Sequence, residues 1–349
     1  MSKKSFLPLP FFIVYIFLSS TAQEVAHEIN LPTALYDSSH RSFLIYLDND
    51  KFIPPALDED RDYTNGLAFS YNAKNLARNP LHQLNRLILS RSWALFNPSR
   101  NRHELRDLAA GLSLGSLAYT PRDIAERRVL FDDRPYASVH YLEFRTRLLD
   151  PSKNHVHSFG ISYGILASPI AEFAQRVIHT IGNIRPLPEG WQNQISHPWE
   201  PTLLLNYQRD RIWESNRQNT TRLFSDVKES ISLDLGYRVL ASYALTGRIG
   251  LQLGERRQGS LALFLRLRPY AIAYDATLQG QFRPSVHTLE SSQIRNFRVE
   301  GAGGLSFSWQ FPENVLMTGY GFYVQSPEAV YPNHERFHYW GRLWLGWRF

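Results

Sequence analysis

Three short acidic strings and one histidine carry most of the chemistry that this sequence could perform. Asp48-Asn49-Asp50 is followed closely by Asp58-Glu59-Asp60-Arg61-Asp62-Tyr63-Thr64, and Asp132-Asp133-Arg134-Pro135-Tyr136 stands further along. A fourth segment, opened by Pro169 and closed near Gly182, spaces Glu172, Gln175 and His179 at i, i+3 and i+7, one face if the segment is helical. Carboxylate, amide and hydroxyl oxygens are the ligands that a hard cation such as Ca²⁺ prefers. A cation among them could polarise an ester carbonyl and stabilise its oxyanion, while a neutral imidazole could deprotonate water near neutral pH. The same residues would serve equally as a structural Ca²⁺ site or as solvated turns, and a lone histidine is more often a packing residue. Spacing alone leaves these alternatives open.

Other chemistries are excluded more firmly. The 349-residue chain has no cysteine, which removes disulfide scaffolds, thiolate zinc sites and cysteine nucleophiles. A net charge of +6 with scattered basic residues gives no nucleic-acid footprint. No phosphate-cradling glycine loop, G-x-S-x-G elbow or zinc-protease helix is present. His157-Ser158 does not make a serine-nucleophile phospholipase, because consecutive strand residues point to opposite faces. His155 with His157, and His334 with His338, have metal-compatible spacing but read better as turn and interface residues.

The elements that must position these groups are strands. Ile231, Leu233, Leu235, Tyr237 and Val239 alternate with Ser232, Asp234, Gly236 and Arg238, and Leu261, Leu263, Leu265 and Leu267 share a register whose opposite face holds Arg266 and Arg268. The same two-residue period marks 142–148, 243–254, 297–310 and 338–349. Long alternating strands with aromatic ends fit a transmembrane barrel, apolar outside and polar within. Twelve strands are expected at 41–50, 63–73, 107–120, 136–149, 156–166, 201–212, 229–239, 242–254, 260–275, 297–310, 315–326 and 338–349. The expected fold is therefore an all-β, 12-stranded antiparallel transmembrane β-barrel with a short helix in an outer loop. Asn79-Pro80 caps a further helix, expected to lie at the inner interface.

Lys3-Lys4, the apolar Phe6 to Leu18 and Ser20-Thr21-Ala22 have the layout of a secretory signal, so 1–22 is expected to be cleaved and 23–349 to form the barrel. The last strand closes on Phe349, which resembles the insertion signal read by the barrel assembly machinery. Outer-membrane lipid is then the surrounding partner, and a monomer is expected.

The strings LDND (47–50), DEDRDYTNGL (58–67), DRPYA (133–137) and AQRVIHTIG…GWQNQI (174–195), in this order, resemble the lipid A 3′-O-deacylase family of Gram-negative outer membranes. The resemblance implies a Ca²⁺-dependent esterase that removes the 3′-linked acyloxyacyl chain of lipid A, with its site facing outward. It implies His179 as the general base, with Asn49, Asp50 and Thr64 forming the metal and oxyanion region. Gln175 supports the helix face, and Glu172 is the further candidate metal ligand. Tyr63 and Arg134 look like scaffolding. The chain departs from the family pattern at Lys51, at Asn183-Ile184-Arg185, and after strand 3, where Arg122, Arg127 and Arg128 stand in place of a lysine. A barrel that keeps the fold without the activity, structural or pore-like, is the competing expectation.

Overall fold

The computed structural model describes residues 40–54, 62–98, 104–182, 186–214, 222–331 and 336–349. The expected signal segment, the acidic string 58–61, Asn183-Ile184-Arg185 and His334 lie outside the described residues.

Twelve long strands run through the described residues: β1 (Ser42–Asn49), β2 (Asp62–Ala73), β3 (Ala110–Thr120), β4 (Ala137–Asp150), β5 (His155–Leu166), β6 (Glu200–Glu214), β7 (Leu223–Gly236), β8 (Arg238–Leu253), β9 (Gly259–Asp275), β10 (Phe297–Gln310), β11 (Val315–Gln325) and β12 (His338–Arg348). Each pairs antiparallel with its neighbours in the sequence. β12 returns to β1, with Ser42 opposite Arg348 and Asn49 opposite Gly341. This closes the sheet and leaves no edge that lipid would have to hydrate. Among the described residues no helix is long and apolar enough to cross a membrane.

Several expected boundaries move, among them those of β3 and β7. β3 begins at Ala110 rather than 107, because Arg106–Asp107 pair separately with Leu149 and Leu148 before the strand resumes. β7 begins at Leu223, six residues early, and stops at Gly236. There the chain reverses through Tyr237 alone. Gly236 has φ +150°, and a side chain on it would run into the Leu203 carbonyl, so the turn requires glycine.

The apolar register faces outward: Leu261, Leu263, Leu265 and Leu267 are all exposed, as are Leu343 and Leu345 of the closing strand. Phe43 meets Phe69 and Phe349, and Phe311 meets Trp347, forming an aromatic band around the end of the barrel where the chain ends meet. We call this the terminal end and the opposite rim the loop end. The inward register carries the charges, and they neutralise one another. Arg145 binds Glu143 through Nε at 2.5 Å and Asn206 at 2.7 Å; Asn206 and Arg238 both reach Asp234. Arg248 holds Asp226, Arg266 and Arg268 share Glu300, and Arg342 grips Asp48 at 2.6 and 2.7 Å. Buried guanidinium–carboxylate forks of this kind specify one arrangement of the interior more than they add stability.

Two helices lie against the outside of this wall. α1 (Pro80–Phe96) is opened by Asn79, whose side chain accepts from the Leu81 amide, with proline at the first helical position. It presents His82, Asn85, Leu89 and Trp93 to the outward faces of β4 and β5, as the i, i+3, i+7, i+11 spacing requires. Asn85 donates to the Phe144 carbonyl and Trp93 to Asp150. Its other face exposes Leu84, Leu87, Leu95 and Phe96, the amphipathic pattern of a helix lying in a membrane interface. α2 (Pro169–Gly182) is the expected loop helix.

Candidate active site

The loop end of the outer wall between β1 and β4 is polar where the rest of the belt is apolar. Asn49 closes β1 on the outward register, opposite Asn65 of β2. Ser116 of β3 and His140 of β4 are cross-strand partners on the same surface, in register with the lipid-facing Leu114 and Leu142 further down. A bulge at Tyr63/Asn65 completes the patch. Regular alternation would turn Thr64 inward with Gly66 and Ala68. The extra residue instead sends Tyr63 into the lumen, where it donates to Asp48 at 2.7 Å, and leaves Thr64 and Asn65 together outside.

Asn49 fixes the corner. Its Nδ2 donates to the Thr64 carbonyl at 3.1 Å, while its Oδ1 accepts from the Lys51 amide at 2.8 Å and opens a single 3-10 turn, Asp50–Phe52. The Thr64 hydroxyl lies 2.6 Å from that of Thr120. Asp50 is buried at 1 % exposure on this turn, and Asp48 next to it faces the other way, into the lumen with Arg342. Asp48, at the end of β1, is therefore turned away from the patch.

α2 roofs it. Ala171 and Ala174, too small to hold the helix off, bring its backbone close to the wall; Gln175 and His179 are buried on the same face, whereas Ile170 and Phe173 point away and are exposed. Between helix and wall is a small cavity lined by Thr64, Asn65, Ser116, Ala118, His140, Ala171, Ala174 and Gln175. Gln175 is held by the Trp191 indole, which donates to its Oε1 at 2.7 Å, and Trp191 in turn packs on Tyr136 with ring centroids 4.9 Å apart. His179 sits one helical turn beyond Gln175. Its Nδ1 is 2.8 Å from the Pro186 carbonyl. A carbonyl only accepts, so Nδ1 carries the hydrogen and Nε2 is the basic nitrogen.

The structure thus places Thr64 and Gln175 on one cavity, with Asn49 bound to the Thr64 carbonyl, His179 buried one helical turn beyond Gln175, and Asp50 buried on the turn that follows Asn49. It directs Glu172 elsewhere: Arg176 binds it at 3.0 Å and also reaches Glu189, which Arg127 holds at 3.0 Å. Among the described residues no three His, Asp or Glu side chains converge as a metal cluster. By chemistry alone, the carboxylate of Asp50 and the amide and hydroxyl oxygens of Asn49 and Thr64 are of the kind a hard cation accepts. Sequence reasoning missed Asn65, Ser116 and His140. Their signal was present, since polar residues on the lipid-facing register of a strand are anomalous.

Above the lumen the DRPYA string builds a cap. Arg336 bridges Asp62 at 2.7 Å and Asp133 at 2.5 Å, and Arg134 binds Glu328 at 2.6 Å while lying 4.4 Å over the Tyr119 ring. Burial alone would raise Asp133, but the hydrogen bond and charge of Arg336 outweigh it and hold its carboxyl below the usual range.

A closed barrel with an apolar belt, an ion-paired interior and a helix-covered polar cavity on its outer wall defines an outer-membrane barrel protein. The family model "Outer membrane protein LpxR" matches residues 11–349, and the chain belongs to that family. Among solved structures it is similar to LpxR from Salmonella typhimurium, with a TM-score of 0.61 and 13 % identity, covering 87 % of this chain and 99 % of that one. Weaker likenesses are the β-domain of the Bordetella autotransporter BrkA (TM-score 0.40, 9 % identity, 89 % and 98 % covered) and the Pseudomonas putida toluene transporter TodX (0.33, 10 %, 95 % and 94 %). No curated protein sequence matches the chain.

Proposed function

We propose that this chain is a lipid A deacylase that hydrolyses the 3′-linked acyloxyacyl ester. The observation that carries the reading is the polar cleft on the outside of the wall, under a helix whose own outer face is apolar. A membrane lipid reaches that position by lateral diffusion, and a soluble substrate does not. With the terminal end toward the periplasm, the cleft lies in the outer leaflet, where lipid A resides. Family membership supports the same reading.

In this account His179 Nε2 takes a proton from water as the water oxygen adds to the ester carbonyl. The tetrahedral intermediate collapses by breaking the bond to the sugar oxygen, and the imidazolium returns its proton to that oxygen. The products are a free sugar hydroxyl and an acyloxyacyl carboxylic acid. Asn49 orders the Thr64 backbone, and Gln175 keeps α2 at its height above the wall. Calcium held by Asp50 with oxygens of Asn49 and Thr64 would supply positive charge at the developing oxyanion. Every residue comes from one chain, so a monomer suffices, and the strand ending in Phe349 would be the segment recognised during barrel assembly.

The test uses protein purified in detergent and presented with lipid A. Activity is expected to fall on adding EDTA and to return with Ca²⁺. His179→Ala is expected to cost on the order of 10²–10⁴ in kcat. Full activity in EDTA would remove the cation from the account, and full activity in His179→Ala would remove the base.

A further inference from the structure

His140 occupies a position that the barrel rules would give to leucine. It lies on the lipid-facing register of β4, two residues before the exposed Leu142, at the height of Ser116 and under α2. Its Nε2 is buried and has no hydrogen-bond partner among the described residues, and the same holds for Oδ1 of Asn65 across the cavity floor. Both side chains line the cavity that also holds Thr64 and Gln175. Unsatisfied buried polar atoms are uncommon in folded proteins, and two that line one small cavity call for a ligand that brings polar atoms of its own. An imidazole nitrogen can donate or accept, and an asparagine amide can present either its oxygen or its NH₂.

The ligand arrives from the bilayer, so its headgroup stays near the loop rim while its chains run down the wall. A plain hydrocarbon chain at this depth offers neither donor nor acceptor. A chain bearing a hydroxyl or ester oxygen close to its carboxyl carbon offers both or one. We propose that His140 and Asn65 form a specificity station of the cleft, hydrogen-bonding the oxygen carried on the acyl chain itself and so selecting hydroxyacyl or acyloxyacyl esters over unsubstituted ones. The proposal rests on the esterase reading above and adds to it two residues that contact substrate away from the scissile bond. Loss of such a contact is expected on binding more than on turnover, because it is present in the ground state as well as the transition state.

The experiment compares two synthetic glucosamine esters of matched chain length, one 3-hydroxyacyl and one plain acyl, presented in mixed micelles to the full-length protein. The wild type is expected to prefer the hydroxyacyl ester in kcat/KM by at least about tenfold. His140→Phe and Asn65→Leu are expected to bring the ratio close to one, chiefly through a raised KM for the hydroxyacyl ester. His140→Gln, which keeps a donor and an acceptor, is expected to restore part of the ratio. Retained heat-modifiable mobility in cold SDS gels identifies folded barrels, and the wild-type comparison stands even if a variant does not fold. No preference in the wild type, or an undiminished preference in folded His140→Phe, overturns the proposal. Hydrolysis of neither ester, nor of lipid A, by the wild type overturns the esterase reading and this proposal with it.

Discussion

A backbone hydrogen bond sets the tautomer of the candidate base. With Pro186 O accepting from Nδ1, Nε2 is the nitrogen of His179 left to accept a proton. His179→Gln, which cannot act as a base at neutral pH, is therefore expected to fail as badly as His179→Ala while leaving the fold intact, measured as kcat beside a gel-shift assay for the folded barrel. Asp133 makes a second prediction at this scale. Its folded value lies below that of the unfolded chain, so its contribution to stability is fully present above the unfolded value of about 3.9 and is lost as pH falls through the folded value. The cap that Arg336 ties together should hold at mildly acidic pH and loosen only below about pH 4. Unfolding midpoints against pH would show this, and Asp133→Asn, left with one carboxylate oxygen fewer for Arg336, should show a lower midpoint and a flatter acid arm.

At the scale of elements, α2 carries the prediction. Ala171 and Ala174 let it settle on the wall, so Ala174→Leu should lift the helix or fill the cavity and lower activity at least about tenfold, with the barrel unchanged by circular dichroism. Preserved kinetics in that variant would mean the cavity is no part of the reaction path. This is also the scale at which sequence and structure part company. The strands and α2 were legible because a period of two and a period of 3.6 are local properties, and Asn79-Pro80 marked α1 by its capping chemistry. The bulge in β2 was not legible. It depends on the pairing with β3, yet it alone turns Thr64 outward to the cleft. The turning of Asp48 into the lumen toward Arg342, and the capture of Glu172 by Arg176, likewise follow from neighbours that the local pattern does not reveal. His140 was legible in principle, as a lone polar residue in a lipid-facing register.

For the whole molecule, charge is stored inside and apolar surface outside, and this explains how an ordinary mean composition produces a membrane protein. The interior is laced by guanidinium–carboxylate pairs from β1 through β12. Planar-bilayer recordings should accordingly show no stable porin-like conductance, and large steady currents would favour the pore-like alternative. In the proposed account the barrel is a wall and the work is done on its outer surface, at the cavity between α2 and strands β2, β3 and β4. Most direct is the mass spectrum of lipid A from Gram-negative cells that express the chain. The account predicts a new species lacking the 3′-linked acyloxyacyl group with the wild type, and unmodified lipid A with folded His179→Ala. Unmodified lipid A with the wild type folded in the outer membrane would contradict it.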